Sequence, residues 1–185
     1  MRLDLIIISA TNLLAAELMA SKNGAERLSG LIKESVWDYP RPAVCEPFVG
    51  DVSVVVGNVV IAESQSAFRT LETSHPPTYY FPTEDVNYEN LLKNKRSTFC
   101  EWKGTASYFN YVASENVISN IGWCYTNPTK GFSSIKDYIS FYASKADACY
   151  VNGERVQHQE GDFYGGWITS NLVGPFKGGD GTFGW

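Results

Sequence analysis

Histidine is scarce in this 185-residue chain: there are two, His75 and His158, far apart. Catalytic zinc draws on several histidines and structural zinc on closely spaced ligand pairs. The four cysteines, Cys45, Cys100, Cys124 and Cys149, form no Cys-x-x-Cys pair. The chain is therefore expected to fold without a metal, and nothing in it asks for a cofactor. With 44% hydrophobic residues a domain of this size needs no disulfide staples, so the cysteines read as free thiols in the reducing cytoplasm. Positive charge is also short. Fifteen Lys and Arg face 20 Asp and Glu, a net charge of -5, which leaves nothing to neutralise a phosphate backbone. The one basic cluster, Lys93, Lys95 and Arg96, reads as a solvated loop, and nucleic acid is not an expected partner.

A long apolar run is missing too. The opening MRLDLIIISATNLLAAEL has an apolar middle, but Asp4 stands where a positive start belongs, Thr11 and Asn12 interrupt it, and no small-x-small cleavage site follows. It is too short and broken to span a bilayer. Residues 1–33 therefore read as an N-terminal extension, with room for a short helix after Met19, and neither secretion nor a membrane is expected. Oligomeric state stays open.

What the sequence does have is aromatic rings, 14% of residues, together with 16 Gly and 8 Pro. That composition favours strands joined by tight turns. DVSVVVGNVVIAES holds two β-branched runs around Gly57-Asn58, a two-residue hairpin signal. A second hairpin is expected in TFCEWKGTASYFNYVASENVISNIGWCY, turning at residues 114–116, and a third at Asn152-Gly153. Pro40 and Pro42 keep SVWDYPRP out of any central strand and make it a strap. In SSIKDYISFY the spacing of Ile135, Tyr138, Ile139 and Tyr142 predicts a short amphipathic helix. The glycine-rich, aromatic tail after Asp162 is too apolar to be free and should pack back onto the domain. The expectation is one mostly β domain over residues 34–185, an antiparallel barrel or tent-like fold with one or two short helices.

Several blocks in this order, ESVWDYPRP, LETSHPPTYYFPTEDV, CEWKGTASYF, GWCYTNP and YGGWITSNLVGPFKGGDGTFGW, resemble the domain of unknown function 427 family, which also carries the label nucleotidyltransferase-like. The resemblance implies a compact antiparallel β domain and no established activity. Nucleotidyl transfer needs paired metal-binding carboxylates, often Asp-x-Asp, and no Asp-x-Asp occurs here.

The candidate site gathers around ETSHPPTYYF. Glu72 and His75 straddle a bend stiffened by Pro76-Pro77, where a histidine with a carboxylate in reach can act as general acid or base. The same features also suit a structural turn. Lys103, between Trp102 and Gly104 in what reads as an apolar strand, must reach solvent, pair with an acid or face an anion. Glu72, His75 and Lys103 are thus the candidate catalytic residues. Arg69, Tyr79, Tyr80, Cys100, Trp102, Trp123 and Tyr125 are the candidate walls of a pocket for a small anionic or planar ligand. Cys100 is either core packing or, beside a lysine, an activated thiol. Two readings stand: a small-molecule-binding module, or an enzyme using Glu72 and His75 for acid–base chemistry with Lys103 stabilising negative charge. Removal of residues 1–18 is expected to lower the thermal midpoint by no more than a few degrees, and a larger drop in a melting curve would mean that the segment is packed.

Overall fold

The computed structural model describes residues 33–114, 116–161 and 163–185. The expected N-terminal extension, except for Lys33, lies outside the described residues. Fifteen strands follow in chain order among them: β1 (Glu34–Ser35), β2 (Val44–Pro47), β3 (Val52–Val56), β4 (Val59–Ser64), β5 (Phe68–Glu72), β6 (His75–Tyr80), β7 (Leu91–Cys100) and β8 (Gly104–Ala113). After these come β9 (Asn116–Cys124), β10 (Ile139–Phe141), β11 (Ala148–Val151), β12 (Glu154–Arg155), β13 (Gln157–His158), β14 (Trp167–Ile168) and β15 (Leu172–Val173).

The hairpin signals act as expected. Gly57 and Asn58 both adopt positive φ, 60° and 62°, as do Asn152 and Gly153 at 51° and 81°. Two consecutive left-handed residues match the twist of the flanking strands, and so β3 pairs with β4 and β11 with β12. Along β3 the alternation buries Val52, Val54 and Val56. The resulting sheets have the orders β12-β11-β3-β4, β10-β9-β8-β7 and β2-β5-β6, with two-stranded β1-β15 and β13-β14 beside them. Among the described strands all pairings are antiparallel except β1 with β15. The fold is mostly β, as expected, but its sheets are open and do not close into a barrel. They are sewn together by single bridges, notably Phe81 with Ile139 and Ala62 with Val86.

The amphipathic helix expected over SSIKDYISFY is not formed. Lys130–Ile135 is a 3-10 turn and the chain then enters β10. Asp137 sits at φ 64°, a left-handed conformation that no right-handed helix passes through. Strand pairing with β9 and Phe81 buries Ile139 and Phe141 completely, and these long-range bonds override the local spacing. Among the described residues no helix is long and apolar enough to cross a membrane.

Two cores result. The larger joins Val52, Val54, Ile61, Tyr79, Phe81, Ile121, Phe141 and Trp167; the smaller is aromatic, with Tyr80, Tyr108, Trp123, Tyr125, Phe132 and Tyr142. A register shift between Phe109 and Tyr111 changes the buried phase of β8, so that Tyr108 enters the smaller core and Tyr111 the larger. The tail packs back as expected. Trp167 is fully buried, donates from Nε1 to the Phe141 carbonyl at 3.0 Å, and stacks near Tyr79 and Phe81. Trp185 meets Trp37 edge to face at 5.3 Å. Trp167→Ala should therefore cost about 3–5 kcal/mol, the range for deleting a large buried ring, and lower the thermal midpoint by roughly 6–20 °C. A shift within about two degrees would remove the tail from the core.

Candidate functional site

Successive residues of a strand face opposite ways, and the β5–β6 hairpin uses this to separate two environments. Phe68 pairs with Tyr80, Arg69 with Tyr79 and Thr70 with Thr78. Tyr79 therefore enters the larger core, edge-on to Phe48 at 5.0 Å, while Tyr80 enters the smaller one. Beyond Thr70 the register slips by one: Glu72 pairs with His75, leaving Pro76 and Pro77 opposite Leu71. Prolines lack the N–H that a regular ladder would require, and a bulge tolerates them. The extra residue rephases the strand and brings His75 to the side of Thr78 and Tyr80. The stiff turn and the candidate site are thus one feature.

A cavity of about 400 Å³ opens on that side. Glu72, His75 and Lys103 line it together with Tyr80, Cys100, Trp102, Trp123 and Tyr125. Arg69 and Tyr79 do not. Arg69 instead clamps Glu34 and Glu46, with N···O distances of 3.0 and 2.8 Å, because it faces away from Thr70. Lys103 is not in a strand, contrary to the expectation from its neighbours; it ends the turn Glu101–Lys103 between β7 and β8. It is half-buried, its Nζ lies 5.7 Å from the Phe132 ring centroid, and it makes no ion pair with a described residue.

The polar groups of the cavity have well-defined states. Glu72 Oε1 accepts from Trp102 Nε1 at 3.0 Å and lies 3.9 Å from the Arg41 guanidinium. The Tyr80 hydroxyl is wholly buried with no hydrogen-bond partner. Trp123 stands edge-on to the Tyr80 ring, centroids 6.4 Å apart, without a well-formed bond to that oxygen. Burial holds the Tyr80 and Tyr125 phenols well above their usual range. Burial also pushes the neighbouring Cys45 thiol up to about 11 against the opposing field of Lys103, which makes it a poor nucleophile.

His75 is controlled by Gln159, a buried side chain with no local sequence signal to single it out. Gln159 Oε1 accepts from the Gly166 N–H at 3.0 Å, and Nε2 donates to the Lys177 carbonyl at 2.7 Å. Turning the amide over would set donor against donor and oxygen against oxygen, so its orientation is fixed. The remaining Nε2 hydrogen points to His75 Nδ1 at 3.1 Å. Nδ1 is therefore the acceptor, and the imidazole proton resides on Nε2. Burial, followed by the fields of Lys177, Lys103 and Arg41, outweighs Glu72 and lowers the His75 pKa to about 4. His75 is neutral at pH 7.

Tyr108, Tyr142, Tyr164, Arg41 and Lys177 also line the cavity and were not expected there. One usable signal was the Gly165-Gly166 pair between aromatic residues. A Cβ on Gly165 would stand 2.1 Å from the Trp123 ring, and one on Gly166 2.5 Å from Gln159 Oε1. Glycine here permits close approach. All four cysteines are free thiols. Among the described residues no cluster of three His, Cys, Asp or Glu side chains could share a metal ion.

A family model described as Domain of unknown function (DUF427) matches residues 44–152. Comparison with curated proteins gives no match.

The His75 state predicts a pH dependence with a defined sign. The folded value of about 4 lies below the ordinary 6.5, so the unfolded chain takes up the proton first. Stability is complete above about pH 6.5 and falls by on the order of 3 kcal/mol as the pH drops to about 4. Nitrogen-15 spectra at about pH 7 should show His75 protonated at Nε2 only, and a His75→Asn variant should lose this part of the pH slope. Titration of His75 near its ordinary value would refute the assignment.

Proposed function

The chain belongs to the DUF427 family, and because that membership carries no activity, we propose from the cavity itself that the protein binds a small planar or anionic molecule. The observation that carries this is the orphaned Tyr80 hydroxyl. A buried hydroxyl without a partner costs about 1–3 kcal/mol, and this one lies among rings at a cavity of the size small-molecule sites have. A ligand oxygen or nitrogen that displaces one of the bordering rings would satisfy it. Trp102, half-buried at the cavity wall, offers a π face to a flat molecule, and Lys103, with no described carboxylate to neutralise it, suits an anionic substituent.

The enzyme reading through His75 is less well supported. A general base needs a bare nitrogen toward the substrate, but Gln159 occupies Nδ1 and leaves the proton on Nε2. The neutral ring is a hydrogen-bond donor, and becoming an acid would require a second proton where the Gln159 amide already donates. Nucleotidyl transfer finds no paired carboxylates suited to two metals among the described residues. A cytoplasmic location goes with the reading, supported by the free cysteines.

Tyr80→Phe tests the proposal. It removes only the orphaned oxygen, so the ligand-free protein should be as stable as the parent or more stable by up to about 1–3 kcal/mol, while small molecules that accompany the parent in native mass spectrometry should be lost. Lys103→Met should weaken the same binding and leave stability within about 1 kcal/mol. If Tyr80→Phe destabilises the protein and changes no bound species, the hydroxyl serves the fold and the proposal fails.

A further inference from the structure

Glu72 and His75 are cross-strand partners at the end of one hairpin, and each has one hydrogen-bonding position already taken by the protein. The Trp102 indole, which can only donate, occupies Glu72 Oε1. The second carboxylate oxygen has no hydrogen bond from a described residue, and a carboxylate oxygen can only accept. Gln159 donates to His75 Nδ1, so the other ring nitrogen, Nε2, carries the proton and donates. It too has no partner among the described residues. Both residues line the cavity, so one acceptor and one donor left over by the protein sit on facing residues of a stiff bend.

The complement of an acceptor beside a donor is a rigid edge with a donor beside an acceptor. Resting on the reading of this cavity as a binding site, we infer that its ligand is a planar heterocycle with a lactam edge, a ring N–H next to a ring C=O, with the N–H given to Glu72 and the C=O received by His75 Nε2–H. Oxopurines, pyrimidinediones and fused pyridones share this edge. Trp102, half-buried, lines the same cavity and would stack on the flat ring, which burial of a charged or non-planar group would not exploit. Selectivity follows from polar pairing. A site whose buried donor and acceptor are both used rejects analogues that leave either unpaired far more strongly than a purely apolar slot can. Gln159 acts as the positioning residue, since it sets which nitrogen of His75 donates.

The test uses two sets of probes with the full chain: hypoxanthine with 6-methoxypurine and 1-methylhypoxanthine, and 2-quinolone with 2-methoxyquinoline and N-methyl-2-quinolone. In each set the O-methyl form removes the N–H and the N-methyl form blocks it. Binding is read from tryptophan fluorescence and from the shift of the Trp102 indole N–H signal. At least one parent lactam should bind about tenfold or more tightly than both of its methylated forms, as loss of a buried polar pairing requires, and should move the Trp102 signal. Glu72→Gln sharpens the test, because Trp102 retains an oxygen only if the new amide turns its NH2 toward the cavity. That variant should lose about tenfold or more for the lactam and reverse the preference toward the O-methyl form, whose ring nitrogen accepts. If parent lactams and methylated forms bind alike, the lactam inference falls and the binding site stands. If none of the probes binds while Tyr80→Phe still strips a native small molecule, the lactam inference again falls alone. If no probe binds and Tyr80→Phe changes nothing, both fall. Should Glu72→Gln not fold, the parent protein with the two probe sets decides the matter.

Discussion

Neighbouring side chains on a strand must leave opposite faces of the sheet, and β6 turns that necessity into a partition between a closed core and an open cavity. Tyr79 and Tyr80 are adjacent and chemically identical. One packs beside Trp167 and Phe48, the other beside Trp123 and Tyr125. Strict alternation would have carried His75 with Tyr79 and Pro77, away from the cavity. The slip at Pro76-Pro77 prevents this. Two prolines are well suited to the slip, since neither has an N–H to lose and both have a restricted φ. Removing the bulge would send the imidazole to the other face, and the site would lose the group that faces Glu72 across the hairpin.

The second dependence runs through the tail. Gln159 follows β13, Gly166 precedes β14, and Lys177 lies close to the last aromatic residues, yet all three converge on one amide group. Low polarity around that amide makes each hydrogen bond consequential, because a buried donor or acceptor left unpaired is costly. The chain's final third thus has two roles at once. Trp167 fills the larger core, and the Gln159 network fixes the protonation of a histidine contributed 84 residues earlier.

Most of the strands and about a third of the cavity wall were legible in the sequence, for different reasons. Asn58 and Gly153 mark hairpins because few residue pairs tolerate consecutive left-handed conformations. Tyr80, Trp102, Trp123 and Tyr125 stood out as aromatic residues in the strand-like blocks around the HPPTYY bend. Arg69 and Tyr79 were misplaced although the means to place them were present. Period two sends Tyr79 and Tyr80 to opposite faces, so one face could not hold both candidates, and Arg69 goes with its cross-strand partner Tyr79. Lys103 looked embedded because Trp102 and Gly104 flank it, but Trp102 and Lys103 belong to the turn and only Gly104 opens a strand. The helix expected around Ile135 and Ile139 illustrates the limit of local periodicity, since the bonds from β10 to β9 and Phe81 come from distant segments. Gln159 was illegible for a related reason. One polar residue among the four in HQEGD acquires meaning only from Gly166, Lys177 and His75, none of which is near it in a predictable way.

An aromatic cavity in a small β domain would ordinarily collapse, since rings gain more from contact with one another than from facing a gap. Here individual rings are tethered away from closure. Trp102 is tied to Glu72 through its indole nitrogen, Tyr108 shares a hydrogen bond with Thr98 at 2.9 Å, and Tyr142 donates to the Phe163 carbonyl at 3.1 Å. Trp123 lies against Gly165 on one side and Tyr142 on the other, with the two ring centroids 4.4 Å apart. Each ring is held by a bond or contact of its own, so the walls keep their rotamers without a ligand. Side chains already ordered lose little further freedom on binding, and that saving appears as affinity.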